Sequence, residues 1–515
     1  MMRKVFVQRY LLYLFIAGFT LLSACKKDKS EQANNDPGVP ETNNLQTPTS
    51  DRNLLTKDSI FLYAKQIYLW NPSLPSYDNF NPRKYTSNQS LLYALTQIPI
   101  NQQTGKPYEY VANSSTSKYS FIDDGSVAGQ LGGTGADFGF SLAFDGANLL
   151  KVRYVYPTSP ADVKGLKRGY LVTKVNGVGV LRSSQSDIAN LNNALFGDHP
   201  SITLSVTKPD QTTADIVVNR ATYSINPILF TKIYTIGAKK VGYIVFNSFT
   251  TNSGAGLEDA FKQFATGGVT ELVVDLRYNG GGSVATSELF TNLIAPPSQN
   301  QKVMYTTYWT QKMQDGQATI LQNQKFYAKG TDGITRLYSF FDYPYKPTMA
   351  AGNQEVFAKK GTLNGVTRVY FLVTGGTASA SELLINNLKP VVDVKLIGRT
   401  TYGKPVGFFS VKIDKYDLYV PQFQTKNQLN QGDYFDGMTV DRTVDDDLSK
   451  EFGDTEEGML KQALYYSENG KFSALVNENR LSSTSGITRA DIDSKNQQLD
   501  HDFKGMVETR KLKLK

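Results

Sequence analysis

The feature that most narrows the fold is a rhythm that begins at Thr222. Apolar runs alternate with helix-like stretches: KVGYIVFNSF, VTELVVDLRY, SVATSELFTNLI, TRVYFLVTG, SASELLINNL and VKLIG. The runs read as strands that are apolar along most of their length, so a sheet built from them is covered on both faces. Strand–helix–strand alternation of this kind predicts an α/β domain with a largely buried sheet. Between these elements, about 295–365 is long and rich in aromatics, and it is expected to add strands and a surface over the cleft.

The chain before Thr222 follows other patterns. From Leu54 to about Gly125 it reads as a small helical domain. LTKDSIFLYAKQIYLW spaces Ile60, Leu62, Tyr63, Ile67 and Leu69 almost helically. Asp58 or Thr56 is a candidate cap, and the proline of NPSLP is a stop. SNQSLLYALTQI gives a second short helix. From Ser126 to about Ala221, DFGFSLAFD, LLKVRYVYP, YLVTKVNGV and SITLSVTKP are short strand-like runs. Asn176-Gly177 marks a hairpin, and SPADVKGLKRG is a short helix starting near Ser159. Beyond about Lys471 the chain is a polar tail with little pattern. No repeat of 20–50 residues is visible. With 515 residues, several domains are expected.

The N-terminus reads as an export signal. MMRKVFVQRY is basic, LLYLFIAGFTLL is apolar but short for a stable span, and LSAC ends at Cys25. Small residues before a cysteine look like a bacterial lipobox, with residues 1–24 removed and Cys25 lipidated. Residues 26–53 then form a polar tether. This places the chain in the bacterial cell envelope, anchored to a membrane and facing the periplasm or the surface. The formal charge of +8 includes Arg3, Lys4 and Arg9, so the mature chain carries 8 − 3 = +5. These charges are scattered among acids, and no nucleic-acid partner is expected. Cys25 is the one cysteine, so no intrachain disulfide and no thiolate chemistry remain.

Candidate nucleophiles are therefore few. His199, in FGDHPS, and His501, in the tail, are the two histidines, and neither neighbours a nucleophile motif. HExxH, a GxSxG elbow and a Walker-type loop are absent, and no metal or other cofactor is expected. A serine activated by a lysine remains, if burial keeps the amine neutral. VYFLVTGGTASASELLINNL reads as strand, small-residue turn and helix, with Ser379 or Ser381 at the helix N-terminus. There the free N–H groups and the helix dipole favour a developing oxyanion. LIGRTTYGKPVGFFSV holds Lys404 in a turn between apolar strands. VVDLRYNGGGSV ends a buried strand in glycines that can offer bare N–H groups.

In this order, the three pieces resemble the carboxyl-terminal processing (tail-specific) serine proteases over about residues 54–467. GTASASE resembles the family's nucleophile motif, TYGK its lysine motif and DLRYNGGG its strand-and-glycine motif. The separation of 404 − 379 = 25 residues is usual for the family's dyad. The resemblance therefore implies Ser379 as nucleophile and Lys404 as general base. It also implies an oxyanion hole from the N–H of Ala380 and that of Gly281 or Gly282, with Thr401 and Glu382 supporting the dyad. YPTSPADVKGLKRGYLVTKVNG resembles a PDZ core over 126–221, with Gly139, Phe140 and Ser141 offering N–H groups to a peptide carboxylate. The early DSIFLYAKQIYLW and SKYSFIDD resemble the N-terminal segment of the family's lipoprotein-like members.

The fold so implied is multidomain α+β: an N-terminal helical domain (54–125), a PDZ-like β domain (126–221) and an α/β protease core (222–470) with a mixed, crotonase-like ββα-spiral sheet. The tail is 471–515. The function implied is a Ser-Lys endopeptidase acting on exported polypeptides, engaged through their C-termini. Many members place a glutamine four residues after the lysine, where this chain has Phe408. That difference supports a second reading, a peptide-binding scaffold with weak or no catalysis. The dyad reading predicts a buried Lys404 with its amine close to the Ser379 hydroxyl.

Overall fold

The computed structural model describes residues 47–112, 114–179, 185–329, 332–474 and 488–508. Cys25, the export signal and most of the tether lie outside the described residues. No described helix is long and apolar enough to cross a membrane.

Helix α1 runs from Arg52 to Ile67 and starts one turn earlier than its apolar spacing suggests. Its cap is Asp51, whose carboxylate accepts the Asn53 N–H at 2.8 Å. Thr56 and Asp58 are not caps but lie inside the helix, both buried. Asp58 is paired there with Arg83 at 2.7 Å. The helix also stops before the proline, because Asn71–Ser73 forms a separate 3-10 turn. Helix α2 (Asn88–Thr96) and strand β1 (Phe121–Asp123) complete this segment. Ile60, Ile67, Leu91 and Leu95 pack into the same core as Leu272, Val274 and Phe371 of the main sheet. Two helices this short cannot bury their apolar faces alone.

The next region is an antiparallel sheet in the order β6-β5-β4-β3-β2. Its members are β2 (Phe140–Phe144), β3 (Leu150–Val155), β4 (Leu171–Val175), β5 (Ser201–Thr207) and β6 (Thr213–Asn219), with helix α3 (Gln185–Phe196) between β4 and β5. Along β5 every second residue is buried: Ile202, Leu204 and Val206. They form a separate core with Leu142, Val152 and Val218. Asn176 and Gly177 both adopt positive φ, 52° and 80°, and turn the chain so that Val175 faces Val178. Pro160–Val163 is helical, capped by Ser159.

The main sheet follows. Strand β7 (Ile228–Ile236) pairs antiparallel with β8 (Lys239–Phe246). Helix α4 (Gly254–Thr266) leads to β9 (Glu271–Asp275), a short strand β10 (Gly281–Ser283) and helix α5 (Val284–Ile294). Strand β11 (Val303–Trp309) belongs to a second sheet. Strand β12 (Arg368–Val373), helix α6 (Ala380–Leu388) and strand β13 (Asp393–Gly398) return to the first. Further along come β14 (Val406–Gly407), β15 (Phe423–Asn427), β16 (Arg442–Thr443) and helix α7 (Gly458–Asn469). The main sheet runs β7-β8-β9-β12-β13-β16, parallel from β8 onward.

The period of two divides each central strand between two cores. Val369, Phe371 and Val373 of β12 face the large core shared with α1, α4, α5 and α6. Tyr370 and Leu372 face the opposite core, where α7 contributes Met459, Leu460 and Ala463.

Two stretches differ from expectation. The aromatic-rich 295–365 does contribute strands, and it packs on α1 and the 3-10 turn that follows it: Gln324 donates to the Tyr63 hydroxyl at 2.6 Å and Asn71 to the Thr310 hydroxyl at 2.6 Å. The polar tail holds helix α8 (Arg489–Leu499) and strand β17 (Gly505–Val507). Both are short: the helix buries only Ile492 and Leu499, and the strand is buried throughout, so each is stabilised by what it packs against.

Candidate active site

Strand β12 ends at Val373, and the chain turns through 374–378 into α6. Thr377 fixes the turn: its hydroxyl donates to Leu276 O at 2.7 Å and accepts Thr374 N–H at 3.0 Å. Asn279 O accepts both the Ala378 N–H and the Ser381 hydroxyl at 3.0 Å. The Ser381 hydroxyl is thus engaged. Ser379 differs. It sits at φ 59°, ψ −104°, a conformation rare for a residue with a β-carbon and characteristic of strained functional turns. Its hydroxyl is buried and has no hydrogen-bond partner.

Glu382, one turn into α6, links this turn to the lysine loop. Its Oε2 accepts the N–H of both Ser379 and Lys404, each at 2.8 Å. Its Oε1 accepts the Thr401 hydroxyl at 2.5 Å and the Gly403 N–H at 2.8 Å. Burial pushes its carboxyl upward, and the four donors pull it back. Thr401 Oγ1 in turn accepts the Met438 N–H at 2.7 Å. The backbones of Ser379 and Lys404 therefore hang on one carboxylate oxygen.

Lys404 is fully buried. Burial brings its amine down to about 7, with Glu109 and Glu382 opposing and Lys118 and Lys504 assisting. Its Nζ lies 4.3 Å from the centre of the Phe408 ring. No hydrogen bond joins Nζ to the Ser379 hydroxyl; Nζ donates instead to Lys504 O at 2.8 Å and Tyr119 O at 3.3 Å. A neutral amine has two hydrogens and one lone pair. The two carbonyls account for the hydrogens and leave the lone pair for a proton.

Two residues that sequence reasoning passed over complete the wall. Glu109 is buried and accepts from the Tyr68 hydroxyl, the N–H groups of Tyr119 and Ser120, and the Ser120 hydroxyl, at 2.7 to 3.0 Å. The Tyr119 hydroxyl donates to Gly403 O at 2.7 Å. Both lie far from Ser379 and Lys404 in sequence; Tyr119 falls within the stretch SKYSFIDD, and Glu109 lies outside every stretch singled out above.

The glycine turn lies against Ser379. Gly281 and Gly282 adopt φ of 111° and 137°. A β-carbon on Gly281 would lie 2.2 Å from Gly505 O and 3.0 Å from Ala380 N; one on Gly282 would lie 2.4 Å from Phe249 O. Glycine is required here because backbone approaches from two sides. Ala380 N stands at the first position of α6, where a helix leaves its N–H unpaired within itself. The Gly281 N–H is already donated to Asn279 Oδ1 at 2.9 Å.

The remaining candidates lie on the antiparallel sheet. Gly139 donates its N–H to Asp137 Oδ1 at 2.7 Å. Phe140 and Ser141 begin the edge strand β2, and the Ser141 hydroxyl accepts from Arg153 at 3.1 Å. His501 stacks on Phe196, its Nε2 3.1 Å from Asn192 Oδ1. Among the described residues, no three His, Cys, Asp or Glu side chains are grouped to hold a metal.

Against known proteins, the model of Peptidase family S41 matches residues 240–431. The chloroplastic C-terminal processing peptidase of Tetradesmus obliquus is 24% identical over 324 residues, covering 59% of this chain and 60% of that protein. The carboxyl-terminal-processing protease of Picosynechococcus sp. is 25% identical over 279 residues, covering 54% and 56%. The chain thus spans less than two thirds of the length of either relative. Among solved structures, "Putative S41 protease from Bacteroides fragilis NCTC 9343" superposes with a TM-score of 0.55 at 23% identity, covering 83% of this chain and all of that one. The two share a fold.

Proposed function

The chain carries a Peptidase family S41 domain over residues 240–431, and from that premise we propose a serine endopeptidase that works through Ser379 and Lys404. The observation that carries this reading is the shared Glu382 oxygen, which holds the Ser379 and Lys404 backbones together. Beside it stand a buried amine brought down to about 7 and a buried serine hydroxyl with no partner. Lys404 takes the Ser379 proton through its lone pair. The alkoxide attacks a peptide carbonyl, and the Ala380 N–H, with a second donor from Gly281 or Gly282, holds the oxyanion. For Gly281 to serve, its N–H must leave Asn279. Lys404 then protonates the leaving amine, and water hydrolyses the acyl-enzyme.

In the same reading, residues 126–221 act as a PDZ-like module that receives a substrate C-terminus. A peptide would add along the edge strand β2. The substrates are exported polypeptides, and a lipidated Cys25 anchors the enzyme in the bacterial envelope. One observation favours the scaffold reading: Lys404 Nζ bonds to backbone carbonyls and not to Ser379.

The test is turnover of an unfolded polypeptide by the mature chain, by Ser379→Ala and by Lys404→Ala. We expect each variant to lose at least about 10²-fold in kcat. Equal cleavage by all three would rule out the dyad. No cleavage by any, with peptide binding retained, would establish the scaffold.

A further inference from the structure

The last described residues lie in the site itself. Strand β17 pairs parallel to the glycine turn, with Gly505 opposite Gly281 and Val507 opposite Ser283. The Gly505 N–H donates to Gly280 O at 2.9 Å. On its other side the strand meets Phe408: Phe408 N–H donates to Met506 O at 3.1 Å, and Glu508 N–H to Phe408 O at 2.9 Å. Just before it, Lys504 O accepts from the Lys404 amine. A stretch of backbone thus runs between the glycine turn and the lysine loop, the path an extended substrate needs to reach Ser379.

Helix α8, which precedes it, occupies the edge of the antiparallel sheet. The Asn496 side chain accepts the Phe144 N–H at 2.7 Å and donates to Phe144 O at 2.9 Å, as an added strand would. Asn192 of α3 donates to Gln498 O at 3.0 Å. Ile492 and Leu499 are buried in that sheet's core. Between helix and strand, Arg153 pairs with Asp502 at 2.7 Å and Lys504 with Asp500 at 3.0 Å.

Ser379, Lys404 and residues 280–283 are all buried beneath these contacts. A polypeptide cannot reach a sealed serine, so something must leave. We propose that residues 488–508 are a displaceable internal occupant of both polypeptide-binding surfaces, and that substrate enters by exchanging strand for strand with β17. This rests on the peptidase reading above. Phe408 then has a defined part: in place of the family's glutamine, it supplies an apolar ring that packs in one cluster with Phe503 and Val507 of the tail.

An occupant present for a fraction 1 − f of the time lowers apparent affinity by f. Releasing one that is bound more than nine-tenths of the time therefore raises kcat/KM by at least about tenfold. The releasing variants are Met506→Asp, which puts a charge at a fully buried position, and Asn496→Ala, which frees the edge of β2. Hydrogen exchange at the amides of 280–283 reports whether β17 has left.

We expect faster exchange together with the tenfold gain on an unfolded polypeptide, and competitive inhibition of either variant by a synthetic peptide of residues 488–508. Faster exchange with unchanged or lower kcat/KM overturns the proposal, as does a peptide that does not inhibit. Ser379-dependent trimming of the wild-type tail, seen by intact mass, also overturns it, because the tail would then be a substrate. If no form cleaves anything, the peptidase reading fails, and fluorescence anisotropy with a labelled unfolded polypeptide decides the occupancy. Tighter binding to the released variants supports it, and equal binding overturns it.

Discussion

At the residue scale, the distinguishing property is that Ser379 and Lys404 are each held in a state that costs energy. A buried hydroxyl without a partner forfeits a hydrogen bond, and a serine at positive φ carries backbone strain of about 1–3 kcal/mol. Both are retained at Ser379 and neither at Ser381, whose hydroxyl is bonded to Asn279. The lysine shows the same pattern. Burial holds its amine near 7, against an ordinary 10.5. Only the neutral amine accepts a proton, so kcat/KM should rise with pH through a limb near 7 and level off above it. The sign for stability follows. Below 7 both folded and unfolded chains carry the proton, and stability from this group is flat. Between 7 and 10.5 the unfolded chain binds more protons, so stability rises with pH. A pH–rate profile, and urea midpoints of the wild type and Lys404→Met across the same range, check both. A rate that falls from pH 6 to 8 would remove Lys404 as the base.

At the scale of elements, the site is a junction of turns. The turn after β12 brings Ser379, the loop after β13 brings Lys404, and the turn after β9 brings the glycines. Parallel strands put all three turns at one end of the sheet, where sites form in open α/β folds. Glu382 is the connector, and its chemistry makes a specific demand. All four of its partners are donors, so both oxygens must accept. Glu382→Gln places an amide NH2 against two of these donors. Each buried donor left unpaired costs about 1–3 kcal/mol, and the loops shift apart. Since a displacement of about 1 Å can cost about 10²-fold, we expect kcat to fall by that order with KM little changed. A KM effect alone would show that Glu382 serves binding.

At the scale of the whole molecule, the described residues form one compact unit, but it contains separable cores. The helical segment shares its core with the main sheet, and the antiparallel sheet has its own. Ile67 and Ile202 are both fully buried, one in each. Truncation of either to Ala should cost about 2–5 kcal/mol. In calorimetry, Ile67→Ala should lower the transition that carries the main sheet, although Ile67 lies in the first helix. Ile202→Ala should lower the transition of the antiparallel sheet. Identical thermograms for the two variants would mean that the cores melt as one.

The sequence by itself determined the strand–helix alternation, the β hairpin at Asn176-Gly177 and the order of the three turns, because these follow from hydrophobic period and from glycine's backbone freedom. Through its resemblance to a family, it also pointed to Ser379, Lys404, Glu382 and Thr401, residues that lie within 26 positions and whose motifs are local. Only the tertiary structure decided what those residues touch. Tyr119 accepts from the Lys404 amine across 285 residues, Glu109 acts on that amine through its charge, and a tail with almost no periodicity supplies the strand that covers the glycines. The reason is physical. A local pattern fixes which face of an element is apolar, but hydrogen bonds between distant backbones and the burial of single charged groups depend on packing. The packing of α8 and β17 depends on the distant surfaces that Asn496, Ile492, Leu499 and Met506 meet, which no local pattern displays.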